Sequence, residues 1–177
     1  MSTKNEPAEL VLPGSEDEAD QEKFWLEIDP SLSFEERRDR GNYNYICPEI
    51  TSINFALRVT QPVRRQIVLY DPKNYVSIEE MTRRIKENGD YYATFDDLLE
   101  FGHRFPDRQL TNPIVFLLKL EDYWHVPNDD CRVPYLGRYG GGGRWPGKRG
   151  LYLDWLEGLW GDYCRFAAFR EERAMSF

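Results

Sequence analysis

The chain has 177 residues and 21.0 kDa, the length of one domain or slightly more. Hydrophobic residues make up 41% and aromatics 15%, enough apolar area for a real core, so a wholly disordered chain is excluded even at a mean hydropathy of -0.68. The net charge of -8 is uneven, because residues 1–23 hold seven acids against two lysines, while residues 132–149 hold five cations and no acid. No run approaches the roughly 20 apolar residues of a membrane span. The longest apolar run is Ile114 to Leu118. Met1 to Glu22 has no apolar centre and does not read as a secretory signal. Cys47, Cys131 and Cys164 are odd in number and widely spaced, which points to a reducing, cytoplasmic setting.

In chain order, residues 1–23 lack periodicity and read as a disordered acidic tail, with order expected to begin at Phe24-Trp25. Ser33-Phe34-Glu35-Glu36 predicts a capped helix closed by Gly41. Ser77-Ile78-Glu79-Glu80 predicts a second, with Ile78, Met81 and Ile85 on one face and Gly89 at its end. Thr94-Phe95-Asp96-Asp97 predicts a third, ending at Gly102. Strands are expected at Tyr43 to Cys47, Thr51 to Thr60, Arg65 to Tyr70 and Ile114 to Leu120. Beyond residue 120 the helix signals stop, and four of the five Trp and nine of the thirteen Gly lie from Trp124 onward. Strands are expected there at Arg132 to Leu136, Leu151 to Trp155 and Cys164 to Phe169. The fold class is α+β, with a β-rich C-terminal scaffold braced by short helices. Residues 24–177 form a single α+β domain on this reading.

Several catalytic patterns are approached and not completed. Gly142 to Lys148 has phosphate-loop spacing, but Arg149 stands where the magnesium-binding hydroxyl belongs. Glu49, Asp71 and Lys73 echo a metal-dependent nuclease, but Pro72 breaks the strand between the last two. His125, Asp129, Asp130 and Cys131 are close in sequence and match no zinc spacing. His103 follows a helix end, where a ring cation complements the terminal carbonyls. The expectation is therefore a non-enzymatic protein with no cofactor and no metal site. Arg138 to Arg149, basic and glycine-rich with Tyr139 and Trp145, is the place where nucleic acid could bind.

The segment from Leu151 to Trp155 alternates strictly, which predicts Leu151, Leu153 and Trp155 inward and Tyr152 and Asp154 outward. The same residues up to Tyr163 also admit a helical period. Trp160 and Arg165 to Arg170 continue the pattern of large apolar residues with Tyr, Asp, Gly, Arg and Cys between them. Tyr gives contact area at low entropy cost, and Gly and Asp adapt around it, as in binding surfaces.

The order Val-Pro-Tyr-Leu (Val133 to Leu136), Leu-x-Leu-x-Trp (Leu151 to Trp155), Trp160 and Arg-Phe-x-x-x-Arg (Arg165 to Arg170) resembles the variable C-terminal region of proteins diversified by diversity-generating retroelements. The version is similar to short proteins of small-genome uncultivated bacteria, and the resemblance covers about residues 111–177. It implies a C-type-lectin-like fold, related to the formylglycine-generating-enzyme fold, that displays a hypervariable ligand-binding surface. These elements mutate adenines, typically in Asn codons ending in a pyrimidine. Such changes cannot yield Lys, Glu, Gln, Met or Trp. Arg132, Gly137, Arg138, Tyr139, Tyr152, Asp154, Gly158, Gly161, Asp162, Tyr163 and Cys164 satisfy that limit and are the candidate variable positions. Trp155, Glu157 and Trp160 do not, as a fixed frame requires. The reading is a ligand-binding protein whose partner is another protein or macromolecule. Nucleic-acid binding through residues 138–149 stands second and a metal-dependent nuclease third. Tyr139, Tyr152, Asp154, Asp162 and Tyr163 are expected to meet on one accessible surface.

Overall fold

The computed structural model describes residues 21–127, 130–140 and 147–171. In chain order the elements are β1 (Glu22–Ile28), α1 (Phe34–Arg40), β2 (Tyr45–Ile46), β3 (Val63–Tyr70), α2 (Ile78–Glu87), α3 (Phe95–Arg104), α4 (Arg108–Thr111), β4 (Ile114–Phe116), β5 (Trp124–His125), β6 (Cys131–Arg138), β7 (Arg149–Trp155) and β8 (Arg165–Arg170). The fold class is α+β, as expected.

Three helices begin at the hydroxyl caps read from the sequence. Ser33 accepts from the Glu36 amide and Thr94 from the Asp97 amide, each answered by the acid's side chain in a full capping box. Ser77 accepts from the Glu80 amide. Helix α2 buries Ile78, Met81 and Ile85 on one face, and Gly89, just past its end, takes a φ of 76°. The other two glycines do different work. Gly41 keeps a right-handed φ of -63°, and the left-handed step falls to Asn42 at φ 50°. Gly102 lies inside α3, which runs on to Arg104. A Cβ at either glycine would collide with the Tyr43 side chain. Both are therefore packing glycines that admit a tyrosine wedge between α1 and α3, not helix stops.

All eight strands join one mixed sheet in the order β1-β3-β8-β4-β6-β7-β2, with β5 pairing β6 beside this path. Strand β8, near the chain end, lies between β3 and β4, antiparallel to the first and parallel to the second. Strand β2 pairs parallel with β7, Tyr45 against Gly150. The sheet thus interleaves early and late segments, and the last strand inserts at its centre.

Sheet pairing includes residues before the expected Phe24: Glu22 and Lys23 pair with Leu69 and Val68. The rest of the acidic tail, residues 1–20, lies outside the described residues. The expected strand from Thr51 to Thr60 is absent. Instead Thr51 O accepts from the amides of both Asn54 and Phe55, and Ile50 and Phe55 plug the core from a turn. Asp96 then takes the amides of Arg58 at 2.6 Å and Val59 at 3.3 Å, donors that a sheet neighbour would need. The run from Ile114 pairs only to Phe116, and a 3-10 turn over Leu120–Asp122 follows. The strand reading of Leu151 to Trp155 holds, and the helical alternative does not.

Two layers of core flank the sheet. On one face Phe24 meets Phe101 at 5.0 Å and Phe105 at 4.9 Å, and Phe101 meets Phe116 at 5.8 Å. Strand register carries this face on through Ile114, Leu136 and Leu151, all at 0% exposure under α3 and α4. Arg149 is buried there as well. Its guanidinium donates to the carbonyls of Gly102 and Gly41, near the C-terminal ends of α3 and α1, where helix dipoles favour a cation. Gln109 of α4 donates to the carbonyls of Gly137 and Gly150 at 2.7 and 3.0 Å. On the opposite face Trp160 packs edge-on against Phe166 at 6.4 Å and Tyr135 at 5.7 Å. A two-way backbone bridge to Val76 holds Trp160 in place. Asp90 anchors this layer by accepting from Tyr70 Oη and from Arg170 at 2.6 Å.

A candidate binding face of stacked tyrosines

The second layer stops short of the sheet's far edge, and tyrosines stand on the uncovered strands. Tyr152 follows Leu151 in β7, so alternation turns it away from α3. Its ring stacks on Tyr135 of β6, its register partner, at 5.2 Å. On the other side it stacks on Tyr45 of β2 at 5.2 Å, and Tyr45 stacks on Tyr139 at 5.8 Å. The row Tyr139, Tyr45, Tyr152, Tyr135 runs across three strands and joins the buried layer at Trp160. The Tyr152 hydroxyl donates to Arg138 O at 3.0 Å and fixes its end of the row.

Every hydroxyl in the best-packed part is held neutral. Burial pushes Tyr135 up to about 12, helped by nearby Asp154 and Tyr152. Burial also raises Tyr152, with Tyr45 and Tyr139 adding to it, and raises Tyr45, with Cys47 and Glu49 adding. Tyr163 is raised first by the adjacent Cys164, then by burial and by Tyr75 and Asp154. Asp154 and Tyr163 thus act electrostatically on Tyr135, and Tyr75 on Tyr163. Tyr75 and Tyr163 are strongly exposed, at 71% and 60%, and Asp154 is exposed beside them.

Of the expected binding residues, Tyr139 and Tyr152 are in the row, while Asp154, Asp162 and Tyr163 border it. The other candidates divide differently. Arg132 lies on the opposite face, its guanidinium 3.1 Å from the ring centre of Trp155, its register partner. Arg138 is exposed and lends the row its carbonyl. Gly158 sits half-buried in the turn after β7, its amide toward Trp155 O. Three candidates are corrected by burial. Cys164 is 1% exposed within the core, and burial pushes its thiol up to about 11. Gly161 is buried under Tyr163, and Gly137 is buried with its carbonyl held by Gln109. None of these three can offer a side chain to a ligand.

The frame is corrected too. Leu151 is fully buried, but Leu153 is only partly so, and Trp155 is 45% exposed. Trp155 lies at the end of β7, where Arg132 and not a helix covers it. Trp160 and Phe166 belong to the same layer as the tyrosine row, not to the layer that holds Leu151. Reasoning from sequence also missed Tyr45, Tyr135 and Tyr75. Tyr135 carried a usable signal, since alternation with Pro134 and Leu136 puts it on the other face from Leu136. Tyr45 carried none, because only the β2–β7 pairing brings it to the row.

The other sequence candidates are structural or isolated. His103 Nδ1 lies 3.0 Å from Arg40 O at the end of α1. Glu49 accepts from the Cys47 thiol at 2.9 Å, and Asp71 pairs with Arg165 at 3.3 Å and Lys73 at 3.8 Å. Among the described residues, no group of three or more His, Cys, Asp and Glu side chains is placed to hold a metal. The glycine-rich loop at residues 141–146 and Asp129 lie outside the described residues. A cleft of about 450 Å³ opens at the other end of the sheet, beside Tyr70, Asp71, Arg84 and Arg165. Its arginines already bond Asp71, Glu80 and the Pro72 carbonyl. No described helix is long and apolar enough to cross a membrane. No family model, curated protein or solved structure matches the chain.

Proposed function

We infer that this is a non-enzymatic binding protein whose ligand contacts the open tyrosine face. One observation carries the reading: four stacked tyrosines, half-buried except for Tyr45 at 36% exposure, stand where the second core layer ends, with exposed Tyr75, Tyr163 and Asp154 near them. Stacked rings are pre-ordered, so little rotamer freedom is lost on binding. The facing sides of neighbouring rings are occupied by one another. What remains for a ligand is ring edges and neutral hydroxyls, that of Tyr152 held by Arg138 O, with the Asp154 and Asp162 carboxylates nearby. That chemistry suits a polypeptide or another macromolecule rich in hydrogen-bonding groups. It suits nucleic acid less well, since single-stranded bases need open aromatic faces to stack on. The described part of the basic loop adds only Arg138 and Lys148 beside Tyr139.

The resemblance to retroelement-diversified proteins fits this face, with the variable set narrowed to Tyr139, Tyr152, Asp154, Asp162 and Tyr163. A library randomised at these five codons tests it directly. Most members should fold with melting temperatures within a few degrees of the parent, and selection on an unrelated protein target should yield binders. A library that mostly fails to fold would sink the reading. So would parent-like nucleic-acid binding by every member. The DNA beside the gene decides the retroelement component separately: a near-repeat of the 3′ end, differing at adenines and next to a reverse transcriptase, is expected.

A further inference from the structure

Strands β5 and β6 form a tight hairpin, with the Val126 amide donating to Asp130 O at 2.8 Å. Its register places His125 directly opposite Cys131. Directly opposed residues share a face of the ladder, so the two side chains must meet. The Cys131 Sγ lies 3.1 Å from His125 Nδ1. The other ring nitrogen, Nε2, lies 3.0 Å from Leu120 O. A carbonyl can only accept, so Nε2 carries the proton and Nδ1 is left as the acceptor for the thiol. A sulfur nucleophile, a base within reach and a third group that fixes the base's tautomer are the parts of an activated thiol. His125 is exposed and Cys131 is half-buried, so small reagents reach the pair.

We propose that Cys131 and His125 form a reactive thiol site that exchanges with disulfides of low molecular weight. The Cys131 S–H gives its proton to His125 Nδ1. The thiolate attacks one sulfur of the disulfide, forming a new S–S bond to Cys131 as the old S–S bond breaks. The departing thiolate takes the proton from the imidazolium. Cys131 ends as a mixed disulfide and one free thiol is released, so one sulfur is oxidised and one reduced. Among the described residues, charged or ionisable neighbours include Asp130 and Arg132 in sequence and the Tyr123 hydroxyl, which accepts from the Leu118 amide.

The chain holds its own controls. Cys164 is buried. Cys47 is as accessible as Cys131, but its thiol is turned to the Glu49 carboxylate, and burial and that carboxylate push it up, away from the thiolate. The test treats the full chain with limiting oxidised glutathione at pH 7 and maps the modified peptide by mass. Cys131 should be modified first, about tenfold faster than Cys47. His125→Gln should slow Cys131 about tenfold at pH 7 and hardly at all near pH 10, where an ordinary thiol ionises unaided. Equal rates at Cys47 and Cys131 in the unaltered protein would overturn the proposal. So would a His125→Gln variant that reacts normally at pH 7, or one slowed equally at both pH values, which would mean lost access and not lost proton transfer.

Discussion

The two faces of β7 are built from alternate residues of one strand, yet they follow opposite rules. Arg149 and Leu151 face α3 and α4, where the Arg149 guanidinium is held by backbone carbonyls and Gln109 and Leu151 is fully buried. Gly150, Tyr152 and Asp154 face the side where the second layer has run out. There the tyrosines cover the sheet with one another. The contrast teaches how a small domain can keep a stable core and an adaptable surface within 3 Å of rise per residue: stability is confined to one parity of the strand. If that division is real, substitutions should sort by parity and not by residue type.

The largest effect should fall on the closed face. Leu151→Ala removes a fully buried side chain and should lower stability by about 2–5 kcal/mol in a urea titration. Leu153→Ala, two residues on but only partly buried, should cost about half as much. Equal losses would mean that cover by α3 and α4 does not set the cost.

A pH effect also belongs to the closed side. Asp97 is fully buried at the start of α3, and burial pushes its carboxyl up to about 6, against the opposing pull of Arg65 and Thr94. Arg65 Nε comes within 3.0 Å of the carboxylate without hydrogen-bond alignment, so the ion pair does not offset the burial. In the unfolded chain the group titrates near its ordinary value of about 3.9. Between about pH 4 and 6 the folded state holds a proton that the unfolded state has released, so this contribution to stability falls as pH rises through that window. Asp97→Asn should flatten the fall, by at most about 3 kcal/mol between the two ends. Urea midpoints at pH 4 and pH 7 measure it, and an unchanged slope would mean that Arg65 keeps Asp97 ionised.

What could be read from the sequence was what is decided locally. The caps at Ser33, Ser77 and Thr94 act over three residues, and the helices start where they say. The alternation of β7 is local too, and Tyr152 and Asp154 do share a face. Errors came from distant partners. Thr51 to Thr60 looks like a strand until Asp96, from 38 residues on, takes the Arg58 amide. Trp155 looks like core because alternation says which way it points and not what lies above it. Gly41 and Gly102 look like helix stops because their partner, Tyr43, is chosen by tertiary packing. The row itself was half legible: Tyr139 and Tyr152 stood out, whereas Tyr45 needed the parallel pairing of β2 with β7.

Within the open face, the row should matter modestly for stability. Tyr45 stacks on two rings from the sheet edge and is 36% exposed. Tyr45→Ala should cost about 1 kcal/mol, from lost stacking and partial burial. It should also loosen Tyr139 and Tyr152, visible as faster hydrogen exchange at β2 and the adjoining end of β7. A loss as large as that of Leu151→Ala would show that the row is core and not surface.

The smallest effect on stability should come with a distinct effect on binding. Asp154 is exposed, and among the described residues its Oδ1 accepts from the next amide, that of Trp155, at 2.8 Å. Such a contact at a strand end is readily replaced by water, so Asp154→Ala should change stability by less than about 0.5 kcal/mol. Yet its carboxylate stands close enough to Tyr135 and Tyr163 to raise both hydroxyls. Removing it deletes one of the two fixed negative charges, Asp154 and Asp162, from that end of the face and leaves the rings in place. For a binder selected on the parent protein, affinity should therefore change while the melting temperature does not. Glu35→Ala, on exposed α1 across the sheet, removes the same charge from the other side and should leave affinity unchanged. If Glu35→Ala alters binding as much as Asp154→Ala, net charge steers the ligand and the tyrosine face does not. If Asp154→Ala alone alters it, the ligand sits where the second core layer ends.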